Sequence, residues 1–269
     1  MHFLITNLLF LVLTQTAFSA DKSQLCDKLF QDQINFSNQV ATPSSSETLT
    51  VITWNMQKFE NSKAFYDVKR LSETADILIL QEAMHSDGWQ SAFASHIPYS
   101  WNFFKSFCTD TKKATGVQSG SRYPLINNQN IISPVSEPVT FTPKVTGFSQ
   151  IDIAGFGIVT LINTHALNFN SGNDFKTQIK DIFERLKTIQ GPMIWAGDFN
   201  TWTADRLNFL MNLTKQLGLT HLSPSNDNRG MVFDHIFSRG LEVVSSEVLP
   251  DKTSDHRPLK AVFKLNKIN

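Results

Sequence analysis

Short apolar runs, each next to a small polar cluster, recur along the chain. The runs are about four to eight residues long and rich in aliphatic and β-branched residues, which is typical of buried strands. They cover residues 49–53, 77–80, 158–162, 193–196, 231–237 and 259–263. Because residues at strand ends project from the edge of a rigid sheet, this pattern predicts one cleft lined by the polar clusters.

Helical spacing of apolar residues predicts three helices between these strands. The clearest covers 171–190, where Ser171 and Asp174 form a capping-box pattern at its start. A second is predicted over 204–217 and a shorter one over 62–73. Helices that alternate with strands predict an α/β fold whose sheets are buried beneath outer helices.

The remaining segments carry weaker signals. Residues 21–39 are predicted to form a short helix, and 41–48, with a proline and three serines, a flexible lead-in. The polar stretch 105–129 is predicted to be a mobile loop. Three prolines break the segment 134–143, which is predicted to hold short strands near 139–141.

Composition describes a globular chain without a strong charge. With 269 residues, of which 41% are hydrophobic, the chain can bury a sizeable core and is predicted to form one catalytic domain over 49–269. The formal net charge is zero. The basic excess that is typical of nucleic-acid-binding proteins is therefore absent, although a local basic rim remains compatible with neutrality.

The N-terminus has the pattern of an export signal. An apolar stretch at 3–12 is followed by small residues up to Ala20, which predicts a cleaved signal peptide over 1–20 and a lead-in over 21–48. The stretch is short for a membrane span. Neither Lys nor Arg precedes it, so an uncleaved anchor stays the alternative. Export predicts a secreted or periplasmic protein.

Two cysteines, Cys26 and Cys108, follow the predicted signal peptide. An even number of cysteines in an exported chain favours a disulfide, which would tie the N-terminal segment to the domain. The alternative is a pair of unpaired thiols. Their spacing does not match a metal site.

Five polar residues near the C-terminal strands have the chemistry of a phosphate site. A carboxylate and an amide two positions apart, as at Asp198 and Asn200, can hold a cation or orient a water molecule. His256 can act as a base or as a phosphate ligand, and Asp255 beside it can bind a metal. Asp234 can orient the imidazole. Each feature alone also fits an ordinary turn or cap.

Four further residues extend this group. Glu82 ends an apolar run, where a buried carboxylate needs a cation or a basic partner. His165 can donate a hydrogen bond to a phosphate oxygen, and Arg122 can clamp a phosphate. Asn55 follows the first strand. Taken singly, Asn55 also fits a turn former and Arg122 a surface arginine, and a structural histidine is the better interpretation of His165.

The joint order of these clusters resembles the endonuclease/exonuclease/phosphatase superfamily, which includes deoxyribonuclease I, neutral sphingomyelinases and inositol polyphosphate 5-phosphatases. The matching words are TWNMQ, LQE, NTHAL, GDFN, FDHIF and SDHRP, from Thr53 to Pro258. The resemblance implies a four-layer α/β/β/α sandwich with two packed mixed β-sheets. It places the active site at one sheet edge.

The resemblance also implies a role for each residue. Mg²⁺, with Mn²⁺ or Ca²⁺ as alternatives, would bind Glu82 with help from Asn55 and with Asp255 beside it. Asp198 would activate water, and His256, held by Asp234, would stabilise the phosphoryl group. The phosphate would be contacted by Asn200 and His165. Gln57 stands where several nucleases of the superfamily carry Asp, which makes a second metal site less expected.

These implications predict an exported Mg²⁺-dependent phosphodiesterase, a monomer with a phosphoester substrate. Nucleic acid is favoured over phospholipid, so a nuclease is the first interpretation. A sphingomyelinase-like phospholipid phosphodiesterase is the second. A catalytically silent binding module of the same fold is the third. The Trp-Cys-Asp-Arg word of inositol phosphatases is absent before Asp234, where Arg229 and Gly230 stand, and this disfavours that subclass.

Overall fold

The computed structural model describes residues 31–37, 47–110 and 113–266, and these residues form two β-sheets flanked by four α-helices. The first sheet has the order β1-β4-β5-β3-β2-β13-β12. Its strands are β1 (Gln33–Ser37), β2 (Thr48–Asn55), β3 (Ile77–His85), β4 (Ser100–Asp110), β5 (Lys113–Ser121), β12 (Glu242–Val248) and β13 (Leu259–Lys264). Only β2 and β3 are parallel neighbours among these described strands.

The second sheet has the order β10-β11-β9-β8-β7-β6, with β8 and β9 as its parallel pair. Its strands are β6 (Ile126–Ser136), β7 (Pro143–Ile153), β8 (Gly157–His165), β9 (Met193–Asp198), β10 (Thr220–His221) and β11 (Asp234–Arg239). Each sheet thus mixes parallel and antiparallel pairs, as the resemblance implied.

Helices cover the outer face of each sheet. The helices α1 (Ala64–Ser72) and α2 (Asp87–His96) pack on the first sheet, and α3 (Gly172–Leu186) and α4 (Ala204–Gln216) pack on the second. Successive side chains of a strand point to opposite faces of its sheet. In β2, Val51 therefore packs between the two sheets, and Trp54 packs against the helices. The predicted four-layer sandwich is confirmed.

The three helices predicted between the strands are present, and two of them are capped as expected. The side chain of Ser171 accepts a hydrogen bond from the amide of Asp174 at the start of α3. Thr203 accepts one from the amide of Arg206 at the start of α4. Capping side chains satisfy N–H groups that have no partner within the helix, so they fix where each helix begins.

Three local predictions are wrong. Residues 105–129 are not a loop, because most of them lie in β4, β5 and the start of β6. Residues 139–141 form the turn between β6 and β7 instead of short strands. Within the predicted helix 21–39, residues Gln33–Ser37 are a strand that pairs antiparallel with β4, so the first sheet takes its edge strand from the predicted lead-in.

The predicted signal peptide and Cys26 lie outside the described residues. Cys108, in β4, is disulfide-bonded, and its pairing with Cys26 stays a prediction. In the part of the chain that the structure describes, no helix is long and apolar enough to cross a membrane.

The strand registers bring the polar clusters to one edge. Asn55 at the end of β2 pairs with Gln81 of β3, and His165 at the end of β8 pairs with Asp198 at the end of β9. The antiparallel strand β11 begins at Asp234, opposite Asp198. The chain enters β13 beside the end of β2, which places the preceding loop at the same edge.

Candidate active site

The carboxylate of Asp198 lies at the centre of the site and joins the two sheets. Asn55, from the first sheet, donates its side-chain N–H to Oδ2 at 2.8 Å, and the amide of Asn200 donates to Oδ1 at 3.0 Å. Asp198 is 2% exposed. A buried carboxylate is tolerated because hydrogen bonds replace its hydration, so these donors hold it in place.

Gly197 lets β9 approach β8 closely at this point. Its φ is +149°, and a Cβ atom there would lie 1.9 Å from the carbonyl oxygen of Thr164. That distance excludes any other residue without a backbone shift. The glycine of the Gly-Asp-Phe-Asn cluster therefore sets the distance between the strand that carries Asp198 and the strand that carries His165.

Burial raises the pKa of Asp198 to about 7, and the charge of Asp234 adds to the increase. The charge of His256 and the hydrogen bonds from Asn55 and Asn200 oppose it. A carboxylate that gains and loses a proton near neutral pH is suited to general-base chemistry. Asp198 therefore has the properties of the group that accepts a proton from water.

His256 and Asp234 form a hydrogen-bonded pair beside Asp198. The Nδ1 atom of His256 lies 3.0 and 2.9 Å from the two carboxylate oxygens of Asp234. Burial disfavours the charged imidazole, but the charge and hydrogen bond of Asp234, with Asp198 and Asp255, outweigh it and raise the pKa of His256 to about 10. The imidazolium Nε2 lies 3.8 Å from Asp198 Oδ2, at the centre of the site.

Two bonds hold the loop that carries His256 against β2. The indole N–H of Trp54 donates to the carbonyl oxygen of His256 at 2.9 Å, and the hydroxyl of Ser254 donates to the carbonyl oxygen of Asn55 at 2.7 Å. The Trp-Asn and Ser-Asp-His clusters are therefore in contact, although about 200 positions separate them in the sequence.

Glu82 carries the second carboxylate group of the site. Its Oε2 atom lies 3.1 Å from Lys58 Nζ, and its Oε1 atom lies 3.7 Å from His165 Nε2. Both Glu82 and Lys58 have positive φ, +47° and +52°. Such conformations cost about 1–3 kcal/mol each and persist only where surrounding structure imposes them.

The residues near Glu82 suit a divalent cation better than those around His256. Ligand atoms of Asp198, Asp234 and His256 lie within 4.8 Å of one another. The raised pKa of His256 favours its charged form, however, and a charged imidazole offers no lone pair to a metal. The carboxylate of Glu82 already attracts a cation, and the amide oxygen of Asn55 accepts, among the described residues, only the amide of Gln57, at 3.0 Å. Oxygen ligands of this kind fit Mg²⁺.

His165 is buried and held by a lysine. Nζ of Lys144 lies 3.3 Å from Nε2 of His165. This Nε2 atom of His165 also lies 3.7 Å from Oδ2 of Asp198. Burial, together with the charges of Lys144 and His256, moves the pKa of His165 well below its usual range. The imidazole is therefore neutral, and its Nε2 accepts the hydrogen bond from the lysine.

The structure brings most of the predicted site residues together. These are Asn55, Glu82, His165, Asp198, Asn200, Asp234 and His256. Asp255 lies at the exposed rim, where Oδ1 accepts a hydrogen bond from Ser254 at 3.2 Å. Its role as a metal ligand stays a prediction.

Arg122 does not join the site, and its prediction as a phosphate ligand is wrong. Its guanidinium donates to the carbonyl oxygens of Ala75, Ser72 and Glu73, which follow or end α1. Arg122 follows β5 beyond Ser121, which pairs with Ile77 at the start of β3, whereas Glu82 lies near the end of β3. The free carbonyl groups at a helix C-terminus attract cations, which explains its placement.

Two lysines of the site were missed by the sequence analysis. Lys58 follows the Trp-Asn cluster, and Lys144 is the second residue of β7. Lysines are common on protein surfaces, so the sequence context of Lys144 did not distinguish it. The position of Lys58, three residues after Asn55, was the available signal.

Known proteins share the sequence pattern and the fold of this chain. The sequence profile described as the Endonuclease/Exonuclease/phosphatase family matches residues 52–256. A UPF0294 protein of Vibrio vulnificus is 30% identical over 259 residues, covering 91% of this chain and 88% of the relative.

Two solved structures share the fold. An endonuclease/exonuclease/phosphatase from Beutenbergia cavernae superposes with a TM-score of 0.67 at 18% identity, covering 82% of this chain and 72% of the other. Sphingomyelinase C from Streptomyces griseocarneus gives a TM-score of 0.60 at 17% identity, covering 81% and 99%. Identities this low show the fold alone.

Replacement of Glu82 tests the metal site without reference to catalysis. We expect Mg²⁺ at about ten times its dissociation constant to raise the melting temperature of the protein by about 4 °C, because a ligand that binds only the folded state stabilises it. The Glu82→Gln variant should lose this increase. The exposed Glu184→Gln variant is the control and should keep it. An unchanged Mg²⁺ effect in Glu82→Gln would place the metal elsewhere.

Proposed function

Because this chain belongs to the Endonuclease/Exonuclease/phosphatase family, whose members are generally phosphoester hydrolases, we propose that it is an exported Mg²⁺-dependent phosphodiesterase. The observation that carries the proposal is the pairing of a buried carboxylate, Asp198, with the Asp234–His256 pair 3.8 Å away. A base and a charged donor so close together suit attack of water on a phosphoester.

Each residue then has a defined task. Asp198 accepts the proton of the attacking water, and Nε2 of His256 donates a hydrogen bond to a phosphoryl oxygen as negative charge develops there. Asp234 keeps the imidazole charged and oriented. One N–H of the Asn200 side chain is bonded to the carbonyl oxygen of Ala166, which leaves the other for the phosphate. Mg²⁺ at Glu82 and Asn55 would offset charge on the phosphate oxygens.

Nucleic acid is the substrate class that we favour. Exposed aromatic side chains lie in the loops at the site edge, namely Phe141 before β7, Phe169 after β8 and Trp202 after β9. Phe141 and Phe169 are 80% and 76% exposed. Aromatic side chains beside a phosphate site can stack on nucleobases without reading their sequence.

Phospholipid is the second candidate, and one observation favours it. Val139 and Met231 are 81% and 67% exposed in loops at the same edge, and neither side chain has a face that stacks on a base. Exposed aliphatic groups together with aromatic ones are typical of surfaces that enter a lipid interface. A silent binding module has less support, because Asp198, Asp234 and His256 keep their mutual geometry.

Turnover by the mature chain tests the proposal. We expect Mg²⁺-dependent cleavage of plasmid DNA that chelator abolishes, and a loss of about 10³-fold in rate in Asp198→Asn and in His256→Gln. Sphingomyelin and phosphatidylglycerol vesicles are assayed in parallel. Cleavage of lipid alone would replace the favoured substrate. Near-normal rates in both variants would refute the assignment of the site.

Asp234 sets the alkaline limit of activity. The pKa of His256 is raised to about 10 in the folded protein, so the charged imidazole is present below that pH and activity falls as the pH rises through it. The Asp234→Asn variant lacks the charge that does most to raise the pKa of His256. The pH at which activity falls on the alkaline side should therefore move by more than one unit towards the ordinary imidazole pKa of 6.5. A pH profile of kcat/KM measures the shift, and an unmoved alkaline limit would contradict it.

Export is part of the proposal and has a separate test. The apolar N-terminal stretch followed by small residues predicts processing near Ala20. We expect the exported chain to begin at Ala20 or Asp21, as measured by its intact mass. A mass that includes Met1 would favour the anchored alternative.

A further inference from the structure

A pocket of about 190 Å³ opens beside the catalytic residues, between the two sheets. Glu82 and His165 are among the residues that line it. Ser106 and Thr115 line it from the first sheet, and the turn between β6 and β7 lines it from the second. Because the pocket contacts two catalytic residues, a group bound there is a near neighbour of the scissile phosphate.

Two lysines supply positive charge to this pocket. Nζ of Lys58 pairs with Glu82 at 3.1 Å, and Nζ of Lys144 lies 3.8 Å from Oε1 of Glu137. Burial lowers the pKa of Lys144, while the carboxylates of Glu82, Glu137 and Asp198 favour its charged form. The two lysines and the two glutamates that line the pocket balance each other in charge.

That balance changes when either glutamate is engaged by another group. Glu137 already accepts the amides of Asn168 and Phe169, at 2.7 and 3.1 Å, so its charge is satisfied in part without Lys144. A divalent cation bound to Glu82 would replace Lys58 as the partner of that carboxylate. The pocket then carries an excess of positive charge, next to a partly buried site where charges are weakly screened.

We propose that Lys58 and Lys144 form a subsite for a second anionic group of the substrate, adjacent to the scissile phosphate. The inference rests on the proposed function and adds the class of group that the enzyme selects, a phosphate or carboxylate. Pockets for whole drug-sized ligands measure about 300–1,000 Å³. A pocket of about 190 Å³ therefore holds one group of a larger substrate, and the two lysines in its lining suit an anionic group.

A matched pair of small phosphate esters tests the subsite by binding alone. The ligands 3-phosphoglycerate and glycerol 3-phosphate differ in one carboxylate, which the first carries in place of an alcohol. By calorimetry in excess Mg²⁺ we expect the wild-type protein to bind 3-phosphoglycerate about tenfold more tightly, as suits a charge-assisted contact. Lys144→Met and Lys58→Met should each reduce this preference to within about twofold.

Controls separate the subsite from general electrostatics and from misfolding. Lys252→Met removes an exposed lysine from the shallow groove near Asp255 and should keep the tenfold preference. Thermal melts show whether Lys144→Met is folded; if it is not, the half-exposed Lys58→Met decides the result. Equal affinities of the wild-type protein for both ligands, including no binding of either, would overturn the subsite. So would tighter binding of phosphocholine, whose second group is a cation.

The binding result stands apart from turnover. A preference for 3-phosphoglycerate without hydrolysis of any phosphodiester would keep the subsite and refute the proposed function. Hydrolysis of a phosphodiester without this preference would keep the proposed function and refute the subsite. The source of the anionic group is distinguished by a thymidine dinucleotide with and without a terminal phosphate. A Lys144-dependent preference for the phosphorylated form identifies a neighbouring nucleic-acid phosphate, and its absence identifies a small phosphodiester.

Discussion

The buried carboxylate of Asp198 is the constraint on which the rest of the site depends. A carboxylate with 2% exposure is stable only if nearby groups replace the water that it lost. The replacements come from both sheets, because Asn55 belongs to the first and the amide of Asn200 follows a strand of the second. The two sheets must therefore meet in one register at this edge. Beneath it, Gln81 donates to Asn163 at 2.8 Å, which fixes the same register inside the core.

Backbone strain is concentrated around that carboxylate. Within the described residues, seven residues other than glycine have positive φ, and six of them lie in the site or in the loops at its edge: Gln57, Lys58, Phe59, Glu82, Phe141 and Asn200. The left-handed conformation is unfavourable for such residues, and it is retained where packing and hydrogen bonds impose it. Lys58 contacts Glu82, and the amide of Asn200 donates to Asp198, so the strained residues are among those that form the site. The fold is therefore locally less stable where it brings these side chains together.

The sequence predicted the strands with apolar runs and most of the site, because cluster order and strand-end position are local signals. It could not predict β5, whose Gln118, Ser119 and Ser121 are polar yet buried. Burial of polar side chains depends on partners far along the chain, such as Asn163, whose side-chain N–H donates to the hydroxyl of Ser119 at 3.4 Å. Arg122 failed as a prediction for a related reason. A long, basic side chain binds whatever acceptors surround it, and only the fold shows that these are helix carbonyl groups.

Charge balance links the catalytic centre to the adjacent pocket. Asp234 is paired with His256 and Glu82 with Lys58, whereas Asp198 shares its surroundings with both histidines. Each cation thus compensates a carboxylate until a ligand arrives. On the proposed function, a divalent cation on Glu82 would free Lys58, and a phosphate oxygen near His256 would accept a hydrogen bond from the charged imidazole. Metal and phosphate would then favour each other's binding, because each one would satisfy the charge that the other exposes.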